Sequence, residues 1–269
     1  MATASNTDLA AHLKVAHRKT RWPFHVAIPA LVLLVLWEIG ARYLFDPQFI
    51  GQPLFIAISL YRHALSAPIW IDTWVTLQET VLGFLIGLVT GGGAGYFLGF
   101  KQNWAAVFEP YILALNTVPK VAIAPLLIVT LGIGITSKVA IAASMVFFLV
   151  FYSVFVGIKM IDIDFIYQAK LMGADGRTVI RHVIMPFIMP NLLAGMKTSI
   201  VYAMIGAIIG ELIAARNGLG YFILNATGMF NMTDIWVGVV FIMALVLAMS
   251  GLITCAERRL LRWLPPTKI

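Results

Sequence analysis

The sequence predicts an all-α integral membrane protein with six transmembrane helices, and three observations carry that prediction. First, 61% of the 269 residues are hydrophobic and only 12% are charged, with a mean hydropathy of +0.92. Soluble domains run at about 45–50% apolar and about 25% charged, so this chain cannot cover a folded surface with polar groups. The same hydrophobicity excludes disorder. Second, six apolar runs reach the roughly 20 residues that a bilayer-crossing helix needs, near 24–44, 73–99, 107–131, 138–158, 188–213 and 234–256. Third, the basic residues divide unequally between the two sides that six spans define.

With six spans, the termini, loop 2–3 and loop 4–5 share one side. That side carries Lys14, Arg18, Lys19, Arg21, Lys101, Lys159, Lys170, Arg177, Arg181, Arg258, Arg259, Arg262 and Lys268, thirteen in all. The other side carries four: Arg42, Arg62, Lys138 and Arg216. The positive-inside rule therefore places both termini in the cytoplasm. The chain organises as a cytoplasmic tail over 1–22, a transmembrane domain over 23–258 and a second tail over 259–269. Membrane orientation accounts for most of the net charge of +7, and no nucleic-acid partner is expected.

The first run follows a polar start of about twenty residues and reads as a span rather than a cleavable leader. Pro47, Pro53 and Pro68 mark an external loop after it. The second run places Gly83, Gly87, Gly91, Gly95 and Gly99 at four-residue spacing. Positions four apart share a helix face, so these glycines form a groove along which another helix can approach closely. Plain packing and a sliding surface are both compatible with that groove. Pro119 and Pro125 interrupt the third run around Lys120.

An ionisable residue at membrane depth is a functional candidate by default. Lys120 either attracts an anionic substrate beside Pro119, or snorkels or pairs with Glu109, Glu79 or Glu211. Glu79 and Glu211 read as partners in a buried pair or as substrate ligands, and Lys197 as a snorkelling cation. Trp22, Trp70, Trp104, Trp236 and Trp263 fit an interfacial belt. One cysteine, Cys255, rules out a disulfide framework. No metal-ligand spacing and no catalytic constellation occurs, so neither a metal nor a catalytic residue is expected.

The loop between the fourth and fifth runs is the most specific segment, and spans about 160–186. Asp162 or Asp164 can cap a short helix, Gly173 can end it in the left-handed region, and Asp175 can cap a second helix that Pro186 and Pro190 close or bend. The first helix carries Phe165, Ile166, Tyr167, Ala169, Leu171 and Met172. An apolar helix facing water needs cover, from the membrane or from a groove on a partner protein.

The order Tyr167-Gln168-Ala169-Lys170-Leu171-Met172-Gly173-Ala174, followed by Arg181-His182-Val183-Ile184-Met185-Pro186, resembles the EAA loop of ABC importer permeases. That loop reads roughly Glu-Ala-Ala-x-x-x-Gly and closes on Ile-x-Leu-Pro. Tyr167 stands at the acidic first position and Met185 at the leucine. Trp37-Glu38, Pro125-Leu126-Leu127, Gly132-Ile133-Gly134, Gly210-Glu211, Gly218-Leu219-Gly220-Tyr221-Phe222-Ile223 and Glu257-Arg258-Arg259 are similar to the sulfonate, taurine and nitrate branch. The resemblance implies a type I ABC importer permease, with residues 165–174 as a cytoplasmic coupling helix between spans 4 and 5. It implies as partners a cytoplasmic ATPase dimer, an external solute-binding protein and a second permease copy, in an inner membrane. No Gly-Lys-Ser or Gly-Lys-Thr occurs in the chain, so the phosphate cradle of a P-loop is missing. ATP and Mg are then expected on the partner ATPase, with no cofactor on this chain. The alternative is a secondary transporter driven by an ion gradient. It would need internal repeats or an acidic coupling site at mid-membrane, and no repeat is visible.

Overall fold

The computed structural model describes residues 22–44 and 50–263, and every described regular element is a helix. The expected tails lie mostly outside these residues. The chain divides into two compact units, 1–55 and 56–269. In the first, α1 (Trp22–Tyr43) covers the first apolar run. Its described aliphatic residues, such as Leu31, Leu33 and Leu36, are exposed. An i,i+4 pair, Arg42 to Glu38 at 2.9 Å, closes its last turn, and Glu38 also accepts the Leu54 amide at 3.1 Å.

The rest of the chain contains α2 (Pro53–Ala64), α3 (Ala67–Phe100), α4 (Gln102–Thr117), α5 (Lys120–Leu131), α6 (Ile135–Lys159), α7 (Ile163–Leu171), α8 (Gly176–Ile213), α9 (Leu219–Gly228) and α10 (Met232–Leu260). Among the described residues α3, α6, α8 and α10 are long and apolar enough to cross a bilayer. At 34 residues, α3 measures about 51 Å, longer than the hydrocarbon core of about 30 Å.

The third apolar run differs from its expectation as a single span. It is a pair of helices, α4 and α5, bent by 91°. The break lies at Val118-Pro119, where both residues are extended, with ψ of 126° and 113°. A proline ring disfavours helical backbone in the residue before it. The fifth run differs in the opposite sense. Pro186 and Pro190 do not end a helix there, and α8 runs through both. A π-helical turn over Ile180–Ile184 precedes Pro186, widening the helix just where the ring would crowd the preceding turn.

The core sits around α6, of whose most hydrophobic stretch half the residues are buried, against 11% for α10. Ile141, Ala142, Val146, Val150 and Phe151 of α6 have no exposure. The glycine groove of α3 lies directly on this helix. A Cβ added at Gly83 would strike Ala142, at Gly87 Val146, at Gly91 the Phe147 carbonyl, at Gly95 the Phe151 carbonyl and at Gly99 Ile158. On its other side α6 meets small residues of α8: Gly195 against Ser153 and Gly206 against Ala142. Close backbone approach of this kind replaces the hydrophobic driving force that lipid does not supply.

Candidate functional site

The loop after α6 is built from three capping devices. The Asp162 side chain accepts the Asp164 amide at 3.0 Å and starts α7. Gly173, at φ +86°, ends it: the Gly173 amide bonds the Lys170 carbonyl at 2.9 Å and the Ala174 amide the Ala169 carbonyl at 3.0 Å. This double bond pattern with a left-handed glycine is a Schellman ending. Asp175 then accepts the Thr178 amide at 2.9 Å and starts α8. Hydrogen bonds from Thr178 hold the Asp175 carboxyl below the usual range.

Between these caps α7 has two unlike sides. Ile166, Ala169 and Ala174 pack on the main hydrophobic core. Phe165 and Tyr167 are more than half exposed, and Leu171 and Met172 are 88% exposed. Gln168, Lys170 and Gly173 are exposed beside them. A two-sided apolar helix joined to two long helices therefore presents an uncovered greasy ridge at the chain's basic side.

Lys120 sits at the break between α4 and α5. Its Nζ donates to the carbonyls of Leu115 at 3.1 Å, Asn116 at 3.0 Å and Val118 at 2.9 Å, and lies 4.5 Å from the Phe148 ring centre. The last carbonyls of a helix have no intrahelical partner, and here one ammonium group satisfies three of them with all of its N–H bonds. Lys120 and Pro119 line a cavity of about 390 Å³ with Asn116, Thr117, Met145 and Tyr202. A neighbouring cavity of about 440 Å³ shares Leu149 and adds Tyr152, Ser153, Asn191 and Thr198. None of the carboxylates weighed as partners pairs with Lys120. Glu109 pairs with Lys159 at 3.2 Å, and Glu79 with Lys138 at 3.2 Å.

Glu79 and Glu211 instead belong to a separate cluster. Glu211, with no exposure, accepts the Thr76 hydroxyl at 2.6 Å and the Gly220 amide at 2.6 Å. Thr76 in turn accepts the Leu219 amide, and Asp72 the Gly218 amide, each at 2.8 Å. The start of α9 is thus seated on carboxylate and hydroxyl groups of α3 and α8, a favourable partner for a helix N-terminus. Gly218 is at φ +118° and Gly220 abuts Glu211, so neither has room for a side chain. Lys138, counted as an external loop residue from the sequence, is 6% exposed inside this cluster. Lys197, expected to snorkel, pairs with Glu257 of α10. A second network, missed in the sequence, ties α2 to α10: Ser59 and His63 both contact Asp234 Oδ1, at 2.8 and 3.1 Å.

Long apolar helices, a helix pair broken beside Lys120 and a two-faced connector are the features to set beside known proteins. A profile of the family described as "Binding-protein-dependent transport system inner membrane component" matches residues 83–262. The chain belongs to this family. It is the permease subunit of an ABC importer, a multi-pass inner-membrane component, and the family implies an ATPase and a binding protein as partners. The permease is 32% identical over 248 residues to the riboflavin transport system permease protein RibX of Chloroflexus aurantiacus, covering 91% of this chain and 92% of that one. It is 27% identical to the taurine transport system permease protein TauC of Escherichia coli, covering 91% and 93%. Among solved structures, the inward-facing MetNI methionine ABC transporter matches with a TM-score of 0.60 at 20% identity, over 75% of this chain and all of that one. That likeness shows the fold.

Proposed function

We propose that two copies of this permease form the translocation path for a small anionic solute of the sulfonate, taurine or nitrate kind, with α7 docked in a groove of a cytoplasmic ATPase. The observation that carries this reading is the uncovered apolar ridge of Phe165, Leu171 and Met172, held at a fixed angle by Asp162, Gly173 and Asp175. Exposed apolar surface on the basic, cytoplasmic side calls for a protein partner. ATP-driven closure of the ATPases moves α7, and α7 is tied through Ile166 and Ala169 to the core that α3, α6 and α8 share. Each state must differ in its contacts with nucleotide or solute for the two to couple. The taurine permease relative supports a solute that carries a sulfonate group, and the positive charge of Lys120 beside a mid-chain cavity suits such a group. With its N–H bonds committed to carbonyls, Lys120 acts on a passing anion through its field rather than as a hydrogen-bond donor.

The test is co-purification. The ATPase subunit should remain bound to the wild-type permease and be lost from a Leu171→Asp, Met172→Asp double variant, while the variant still inserts in the membrane. Retention of the ATPase by that variant would contradict the docking assignment.

A further inference from the structure

The outer ends of α3, α6 and α8 enclose three ionisable side chains for which solute passage gives no role. Glu79, Lys138 and Glu211 are 1%, 6% and 0% exposed. Lys138 Nζ stands 3.2 Å from Glu79 Oε1. Both oxygens of Glu211 already accept, one from Thr76 and one from Gly220. Glu79 Oε2 is wholly buried and receives no donor, while Glu211 reaches α3 at Thr76, one helical turn from Glu79, and Lys138 packs on Gly210 beside Glu211. Two carboxylates beside one lysine repel each other, unless one is an acid.

Charge balance leads to the same place. Fully ionised, the buried triad carries two negative charges and one positive. The other charged groups around it are Asp72, part-exposed and tied to the Gly218 amide, and Arg216, an exposed residue lining a cavity of about 560 Å³ with Gln78, Asn217, Glu79 and Lys138. Neither supplies a second buried cation. An unpaired buried charge is costly enough that groups neutralise instead, and two carboxylates sharing one site do not both ionise. The amides at the start of α9 and the Thr76 hydroxyl favour Glu211 as the charged member.

We infer that the Glu79–Glu211 pair is a proton-binding site, with one proton on Glu79 Oε2 donated to Glu211, leaving the buried triad electrically neutral. The proton joins α3 to α8 at the point where α9 is seated, so the outer helix ends are held together by an exchangeable ion.

Infrared spectroscopy of the full chain in lipid nanodiscs at neutral pH tests this, with glutamate labelled with carbon-13. The wild type should show the carbonyl stretch of a protonated carboxylic acid, shifted by the label. Glu79→Gln and Glu211→Gln should each lose it, because Lys138 then balances the one remaining carboxylate. Lys138→Met should keep or strengthen it. A wild-type spectrum without a label-sensitive acid band would overturn the inference, as would a band that survives in both Gln variants. Where a variant fails to fold, the labelled wild type still decides.

Discussion

Lys120 shows how one side chain sets a local shape. The extended Val118-Pro119 step leaves the end of α4 without partners, and the Lys120 ammonium group supplies them. Lys120→Met should lower both thermal stability and transport, since three carbonyls at the break lose their donor together. A thermal melt of the purified variant, run beside an uptake assay, measures this. Weaker solute affinity with unchanged stability would instead mean that the residue serves the solute alone. At Asp175 the sign of the pH effect is fixed. Its carboxyl is held low by Thr178, so the cap is present above the unfolded carboxylate range and is lost as pH falls through the folded value. The protection factor of the Thr178 amide, its exchange rate relative to the intrinsic rate at each pH, should be high at neutral pH and fall in acid, while that of an Asp175→Asn variant stays level across that window. The three caps of the connector were legible in the sequence because Asp, Gly and Asp act on their own neighbours. Lys138 was not, because its partner Glu79 lies on another helix and nothing local distinguishes a buried lysine from a loop one.

At the scale of elements, the helices were legible as apolar runs, and the α3 groove as a glycine period. Two bends were not. Pro119 breaks its helix while Pro186 and Pro190 do not, because the π turn over Ile180–Ile184 makes room and the packed flank of α8 on α6 holds the rest straight. Proline alone does not say which outcome neighbouring packing selects. The α3–α6 contact gives a sharp prediction. Gly91 faces the Phe147 carbonyl, which cannot rotate away as a side chain can. Gly91→Val should therefore cost about 1–3 kcal/mol or more through overpacking. The same change at Gly93, where a Cβ meets nothing within 4 Å, should be nearly silent. Denaturation of the two variants in the same lipid compares them directly.

For the whole molecule, the family was legible in the connector's spacing, and the profile over residues 83–262 places the chain in it. Tyr167, at the position where the resemblance predicts an acid, is exposed on α7 and makes no ion pair among the described residues. In the docking proposed above, apolar contact then outweighs charge, so permease–ATPase association should change little with salt, in contrast to a screened ion pair. The central claim is that a separate nucleotide-burning subunit drives this chain. Uptake of labelled taurine into proteoliposomes, with the binding protein present and with or without the ATPase subunit, tests it most directly. Uptake should require both the ATPase and ATP, and fall to background when either is withheld. Uptake by the permease alone, driven by an imposed proton or sodium gradient, would contradict the account.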